Sequence, residues 1–141
     1  MARPRLPHPT PGELEILHVL WEQGPCNVRQ VLEVLNRRRT RAYTTVMTLL
    51  NVMVEKGLLR RESQGRAYVY SARLERQPAL RRMVGDLVRR AFNGSARQLV
   101  AHALEQTDPS PQELDDIRQL IDEYRGQRAA QTLRPPKENP S

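Results

Sequence analysis

The stretch Ala42–Leu50, with the sequence AYTTVMTLL, decides the fold. Its apolar residues recur at helical spacing on one face, and its threonines lie on the opposite face. The pattern continues to Lys56 and Gly57 follows as a terminator, so a helix is predicted from about Tyr43 to Lys56. The inward-facing residues are Val46, Leu49, Leu50 and Met53. The outward-facing residues near its start are Thr44, Thr45 and Thr48.

Two shorter helices are predicted before this stretch. Thr10-Pro11-Gly12-Glu13 has a capping residue, a proline at the first helical position and a glutamate three residues after the cap, which together begin a helix. Gly24-Pro25 ends that helix, and Asn27 can cap the second one. The basic run Arg37–Arg41, RRRTR, then joins the second helix to the third.

A β-hairpin is predicted after the third helix, since the apolar period changes there from helical to two. Leu58–Glu62 and Ala67–Ala72 are short extended runs, and Ser63–Arg66 supplies the turn between them. Three helices followed by a hairpin describe a winged helix, in which the third helix enters the major groove of DNA.

The chain beyond the hairpin is predicted to be helical again and to join two subunits. Pro78 starts one helix, Ser95 caps another, and Ser110-Pro111-Gln112-Glu113 repeats the cap, proline and glutamate of the first start. Exposed apolar stripes of this kind usually mark an interface. The residues expected to face the partner are Leu80, Val84, Leu87, Val88, Leu99, Val100, Leu104, Leu114, Ile117 and Ile121. The alternative is that these helices pack back onto their own winged helix.

The predicted fold class is therefore mainly α with a small β-hairpin wing, an N-terminal winged helix-turn-helix followed by a C-terminal helical dimerisation region. Residues 1–9 are expected to form a flexible arm and residues 10–73 the DNA-binding domain. Residues 74–126 form the dimerisation region, with a helix ending at Gly126, and residues 127–141 a disordered tail.

The charge of the chain is concentrated in its front half. The first 80 residues carry 13 Lys and Arg against 7 Asp and Glu, whereas residues 81–141 carry 10 against 9. A basic front half predicts a polyanionic partner, double-stranded DNA, with affinity that falls steeply as salt rises. The phosphate and base contacts are assigned to the basic loop, the helix start and the hairpin: Arg38, Arg39, Arg41, Tyr43, Thr44, Thr45, Thr48, Asn51, Arg60, Arg61 and Arg66. In this division the arginines position the protein and the threonines specify the sequence.

Other classes of function find no support in the sequence. It has no glycine-rich phosphate loop, no nucleophile set and no paired carboxylates in an apolar setting, so neither an enzyme nor a cofactor is expected. With one cysteine, Cys26, and three dispersed histidines, no metal site is expected. No signal peptide and no apolar run of 18 residues is present, so a cytoplasmic protein without membrane insertion is expected.

Several of these segments together resemble the penicillinase repressor (BlaI/MecI) family. They are Thr10–Leu17, Leu20-Trp21, Asn27-Val28-Arg29, Ala42–Leu50, Glu55–Leu59 and Phe92–Ser95. The resemblance extends from about Thr10 to Tyr124, and Ala42–Leu50 is its most distinctive part. It implies a homodimeric transcriptional repressor on a palindromic operator, with base contacts from Tyr43, Thr44, Thr45 and Thr48 and with dimerisation through the C-terminal helices.

The resemblance also implies release by a membrane sensor peptidase that cuts a C-terminal helix. By position the cut falls near His102-Ala103, where those members carry an Asn-Phe pair that this chain lacks. The Cys-x-Cys motif of copper-responsive relatives is absent as well. A winged helix that docks onto other proteins in a larger assembly is the alternative function, and only duplex binding predicts a steep dependence on salt.

Overall fold

The computed structural model describes residues 8–133 and confirms a mainly α fold with a two-stranded antiparallel hairpin. The elements in chain order are α1 (Pro11–Gln23), α2 (Val28–Asn36), α3 (Tyr43–Glu55), β1 (Leu59–Gln64), β2 (Ala67–Ala72), α4 (Arg76–Ala91), α5 (Ala96–Thr107) and α6 (Pro111–Leu133). No helix within the described residues is both long and apolar enough to cross a membrane.

Side-chain caps fix the first two helix starts. At α1 the Glu13 N–H donates to Thr10 Oγ1 at 3.2 Å, and the Thr10 N–H donates to Glu13 Oε1 at 2.9 Å. At α2 the same reciprocal pair forms between Asn27 and Gln30. Ala42, before α3, supplies no side-chain cap, so the first N–H groups of α3 lack that partner.

One apolar core lies between α1, α2, α3 and the hairpin. Its fully buried side chains come from every one of these elements: Ile16, Leu17, Val31, Val46, Leu50, Met53, Leu58, Leu59 and Tyr70. The inward positions Val46, Leu50 and Met53 of α3 are buried and Leu49 is half-buried, as the period predicts. The burial of these residues fixes α3 with its threonines outward.

A buried ion pair links the start of α1 to the end of α3. The Glu13 carboxylate is fully buried, and its Oε2 accepts a hydrogen bond from Lys56 Nζ at 2.9 Å. Burial by itself opposes ionisation of Glu13, but the Thr10 N–H and the Lys56 ammonium outweigh that effect and hold the pKa of Glu13 below its usual value. The ionised carboxylate is therefore part of the folded structure.

The hairpin, called the wing below, pairs Leu59 with Ala72 at its root and Gln64 with Ala67 at its tip. Gly65 takes a φ of 62° in the turn, a conformation that glycine adopts without strain. At the root, the backbones of Cys26 and Tyr70 exchange hydrogen bonds of 3.0 and 2.8 Å, which ties β2 to the loop before α2. Burial raises the pKa of the Cys26 thiol, in keeping with a packing role.

The chain divides into two compact units, one through Leu87 and one from Val88. In the first, the start of α4 is held to the winged helix, because Trp21 Nε1 donates to the Leu74 carbonyl at 2.8 Å and Ala79 is buried. His8, assigned to the flexible arm by the sequence, contacts the buried Asp86 carboxylate of α4. The rest of the predicted arm, residues 1–7, lies outside the described residues.

The second unit contains the end of α4 with α5 and α6. Ser95 caps α5 by accepting from the Gln98 N–H at 3.1 Å, as predicted. The prediction that the last helix ends at Gly126 is wrong: α6 continues to Leu133, so residues 127–133 are not a disordered tail. A single glycine costs a helix only about 1 kcal/mol relative to alanine, and the residues after it are mostly good helix formers. The remainder of the predicted tail, residues 134–141, lies outside the described residues.

Candidate nucleic-acid interface

The threonine face of α3, defined as Thr44, Thr45 and Thr48, is exposed at the surface of the winged helix. Tyr43 at the helix start is 44% exposed, and Met47 one turn later is 37% exposed. Hydroxyl and methyl groups on one exposed helical surface can meet base edges and thymine methyl groups in a major groove. The polar start of α3 is thus placed as its sequence predicts.

The arginine loop, Arg37–Arg41, divides into two kinds of arginine. Arg38 and Arg39 are exposed, and their side chains form no hydrogen bond or ion pair with any residue in 8–133. Arg41 instead turns inward: its side chain is 14% exposed, and its guanidinium contacts Glu15 and two backbone carbonyls. The sequence assigned all three to DNA, but only the first two present uncommitted charge.

The wing arginines also differ from one another. Arg61 Nη1 donates to Asn51 Oδ1 at 3.0 Å, and its guanidinium carbon lies 4.5 Å from the centre of the Tyr68 ring. Arg60 and Arg66 are exposed and, within the part of the chain that the structure describes, have no such partner. Exposed guanidinium groups of this kind are able to bind phosphate oxygens.

Asn51 joins α3 to the root of the wing. Its side-chain oxygen accepts from Arg61 and also from the Tyr70 hydroxyl at 2.9 Å. Because guanidinium only donates, the amide oxygen must face the wing, and the amide NH₂ is the group left for another partner. The bidentate contact to adenine that asparagine makes in other proteins needs both groups, so Asn51 is less suited to it than the sequence implied.

A shallow groove of about 290 Å³ runs between α3, the start of α2 and the wing. Its lining brings Tyr43 and Met47 of α3 together with Arg66 of the wing and with Arg29 of α2. The sequence assignment omitted Arg29, although its place two residues after the Asn27 cap, next to the inward Val28, marked it as an outward basic residue. Basic groups therefore border α3 on this side as well.

Two of the histidines pack against aromatic rings. Within residues 8–133, no group of three or more His, Cys, Asp or Glu side chains is arranged to hold a metal ion. His18 packs edge-on against Trp21 at 5.3 Å between ring centres, and His102 packs against Phe92 at 5.2 Å.

The residues assigned to dimerisation are unevenly exposed. Those that are about half exposed are Val84 at 50%, Leu87 at 47%, Val100 at 41%, Leu114 at 43% and Ile121 at 49%. Those with intermediate exposure are Leu80, Val88, Leu99, Leu104 and Ile117. Leu120 and Tyr124, which were not assigned, are 64% and 62% exposed and extend the apolar surface of α6. Neither α5 nor α6 has a single buried residue.

The position of the expected cleavage lies inside α5. His102 and Ala103 are both exposed, in the second half of a continuous helix that runs from Ala96 to Thr107. An exposed helical bond of this kind requires local unwinding before a protease can bind it in extended form.

The sequence matches known proteins over most of its length. A family model described as penicillinase repressor matches residues 9–123. The penicillinase repressor of Bacillus licheniformis is 24% identical over 88% of this chain and 97% of its own. The transcriptional regulator BlaI of Mycobacterium tuberculosis is 33% identical over 79% of this chain and 83% of its own.

Among solved structures, the monomeric form of BlaI from Bacillus licheniformis in complex with the blaP half-operator is 28% identical, with a TM-score of 0.45. It covers 50% of this chain and 87% of that chain. The relatives named above are repressors and regulators rather than enzymes. On the match to residues 9–123, this chain belongs to the penicillinase repressor family of DNA-binding transcriptional repressors, as the sequence segments had indicated.

Proposed function

We propose that this protein is a homodimeric repressor that binds a palindromic operator, one half-site to each winged helix. The observation that carries the proposal is the threonine face of α3 with uncommitted arginines on both sides, Arg38 and Arg39 in the loop and Arg60 and Arg66 in the wing. Phosphate contacts from these arginines would fix the register of the protein, and the threonines would then read base edges.

The exposed helices after the wing support the homodimer. Leu114, Ile117, Ile121 and Tyr124 follow one another at intervals of three and four residues, which is the spacing of a helix-pairing seam. A helix of 23 residues with no buried side chain gains little from its own subunit, and most helical stability in proteins comes from packing. A second copy of the chain, bringing the same stripe, would cover this surface in a two-fold symmetric interface.

We also propose that the repressor is released from DNA by a cut in α5. A cut at His102-Ala103 by a membrane sensor peptidase, the protease that family resemblance implies, would detach α6 from the winged helix. The expected result is a monomer with weak operator affinity, because each half-site contact would then act alone. The inducing signal that the family resemblance implies is a β-lactam. Mass spectrometry of the chain from cells treated with a β-lactam would identify the cut, and an intact chain during full derepression would exclude this route.

The experiment that tests the function is selection of duplexes from a randomised pool by the full-length protein, followed by fluorescence anisotropy at several salt concentrations. A palindromic consensus, with affinity that falls steeply as salt rises, is the expected result. Recovery of no consensus, together with binding that is weak and insensitive to salt, would overturn the proposal and favour the protein-docking alternative.

Thr44→Ala is expected to reduce discrimination between the selected duplex and random DNA by about 1–3 kcal/mol, the value of one good base contact. Thr44 is exposed on α3, so the fold should be unaffected. Anisotropy on both duplexes measures the ratio of the two affinities, and Thr40→Ala, in the loop before the helix, is the control. Equal weakening on both duplexes would assign Thr44 to a phosphate instead.

Arg66→Ala is expected to weaken binding to every duplex and to lower the slope of log K against log salt by about one unit. The guanidinium of Arg66 is exposed at the tip of the wing, beside the groove under α3. Arg125→Ala is the control, because it also removes one positive charge but from the exposed surface of α6, far from the wing in sequence. If both variants keep the wild-type slope, the wing does not touch the DNA backbone.

A further inference from the structure

Three hydrogen bonds hold the side chain of Arg41. Its Nη1 donates to the Leu35 carbonyl at 2.7 Å and to the Arg39 carbonyl at 3.0 Å, and its Nη2 donates to Glu15 Oε2 at 2.5 Å. Its backbone N–H donates to Asn36 Oδ1 at 2.8 Å. One residue thereby connects α1, the end of α2 and the arginine loop.

These contacts lie at the point where the chain enters α3. Leu35 is in the last turn of α2, a turn without any basic residue of its own, so the Arg41 cation also offsets the negative end of that helix. Arg41 is followed by Ala42, which gives α3 no side-chain cap. The neighbouring helices α1 and α2 each begin with a reciprocal capping box, whereas the start of α3 is preceded by the Arg41 contacts, which hold the loop but do not cap the helix.

We propose that Glu15 and Arg41 form a clamp that sets the position of the recognition helix, and that Arg41 is a positioning residue rather than a phosphate contact. The inference rests on the proposed function, because it concerns how α3 is presented to DNA. Glu15 lies on α1, so the clamp holds the loop before α3 to the first helix of the winged helix. Nothing in the family resemblance assigned a role to Glu15.

Whether DNA affinity rises or falls on removal of the Glu15 carboxylate distinguishes a positioning role from a general electrostatic effect. Loss of a negative charge from a DNA-binding protein normally raises its affinity for a polyanion. If the carboxylate holds Arg41 in place, its loss instead lowers affinity for the specific duplex, because the loop and α3 are less well placed. If Arg41 is a phosphate contact that Glu15 restrains, its release raises affinity for all DNA.

The experiment compares Glu15→Gln with Glu22→Gln in the full-length protein, on a duplex selected by the wild type and on a random duplex of equal length. Glu22 is an exposed residue of the same helix and is in none of the ion pairs that the described residues form. We expect Glu15→Gln to bind the selected duplex about three- to tenfold more weakly, the scale of one charged hydrogen bond that is partly exposed. Glu22→Gln should bind both duplexes as well as the wild type or slightly more tightly.

Glu15→Gln changes the net charge of the protein, so a second pair of variants at arginines is needed to separate position from charge. Arg41→Lys keeps the charge but cannot reproduce the forked contacts, so it should weaken binding to the selected duplex with an unchanged salt slope. Arg39→Ala, from the same loop, should lower the slope by about one unit. Combined with Glu15→Gln, Arg41→Lys should add little further loss, because residues in one network are not additive.

Tighter binding by Glu15→Gln, or wild-type binding by Arg41→Lys, would overturn the clamp. Circular dichroism melting of each variant checks that the fold persists, which the 47% exposure of the Glu15 side chain favours. Failure of the wild type to select any duplex would instead overturn the proposed function. The two failures are therefore distinguishable.

Discussion

Replacing Leu114 and Ile121 together with aspartate is expected to dissociate the proposed homodimer and to weaken binding to the proposed operator by about 100-fold. Both side chains are nearly half exposed on α6, in the stripe that a second subunit would cover. Two carboxylates per subunit would have to be buried in that interface without partners, which is far more costly than the loss of the apolar area. A monomer then binds each half-site without the gain from a tethered second contact.

The measurement is sedimentation velocity for the oligomeric state and anisotropy for the operator. Gln112→Asp with Gln119→Asp is the matched control, since it adds the same charge on the side of α6 opposite the stripe. The control should remain dimeric, with at most a small loss from like charges at i, i+4. If the Leu114 and Ile121 variant stays dimeric at full affinity, the subunits join elsewhere.

The winged helix could be predicted from sequence because its signals are local and agree with one another. The capping box of Thr10 and Glu13 begins α1, Gly57 ends the third helix, and the change from helical period to period two marks the wing. Such agreement of caps, periods and turns is what specifies one fold. The end of α6 was predicted wrongly because a glycine ends a helix where it takes a positive φ, and Gly126 keeps a helical conformation.

The roles of individual arginines could not be predicted in the same way. Arg60 and Arg61 are adjacent in sequence, yet one is uncommitted and the other binds Asn51 and covers Tyr68. Likewise Arg39 and Arg41 are two residues apart, but only Arg41 meets Glu15, 26 residues earlier in the chain. A guanidinium pairs with an acceptor that lies close to it in the folded protein. The charge pattern of the sequence does not give the distance between the two groups.

Glu13→Gln is expected to lower the free energy of unfolding at neutral pH by about 2–3 kcal/mol. The glutamine oxygen can still accept from the Thr10 N–H, but its amide has no charge to offer Lys56 and directs a donor group toward the ammonium. The pair lies against the core, where Glu13 has no access to water, although the Lys56 side chain is 35% exposed and partly screened. Urea unfolding followed by circular dichroism measures the loss.

The same pair predicts how the stability should depend on pH. Because folding lowers the pKa of Glu13 below its usual 4.5, the stabilising contribution is complete above that value and disappears as the pH falls through the folded pKa. The gap between wild type and Glu13→Gln should therefore be largest at neutral pH and narrow in acid. Glu22→Gln, which removes an exposed carboxylate from the same helix, should show no comparable gap at either pH.

A gap that is independent of pH would mean that the glutamine disturbs packing rather than charge. Lys56→Met offers the converse variant, since it keeps an unbranched side chain one atom shorter but leaves the Glu13 carboxylate buried beside Thr10 alone. Without the ammonium, the burial of Glu13 is opposed by fewer favourable contacts, so the pKa of Glu13 should rise and acid unfolding should begin at higher pH. Lys56 follows directly after α3, so this ion pair also joins the end of α3 to α1.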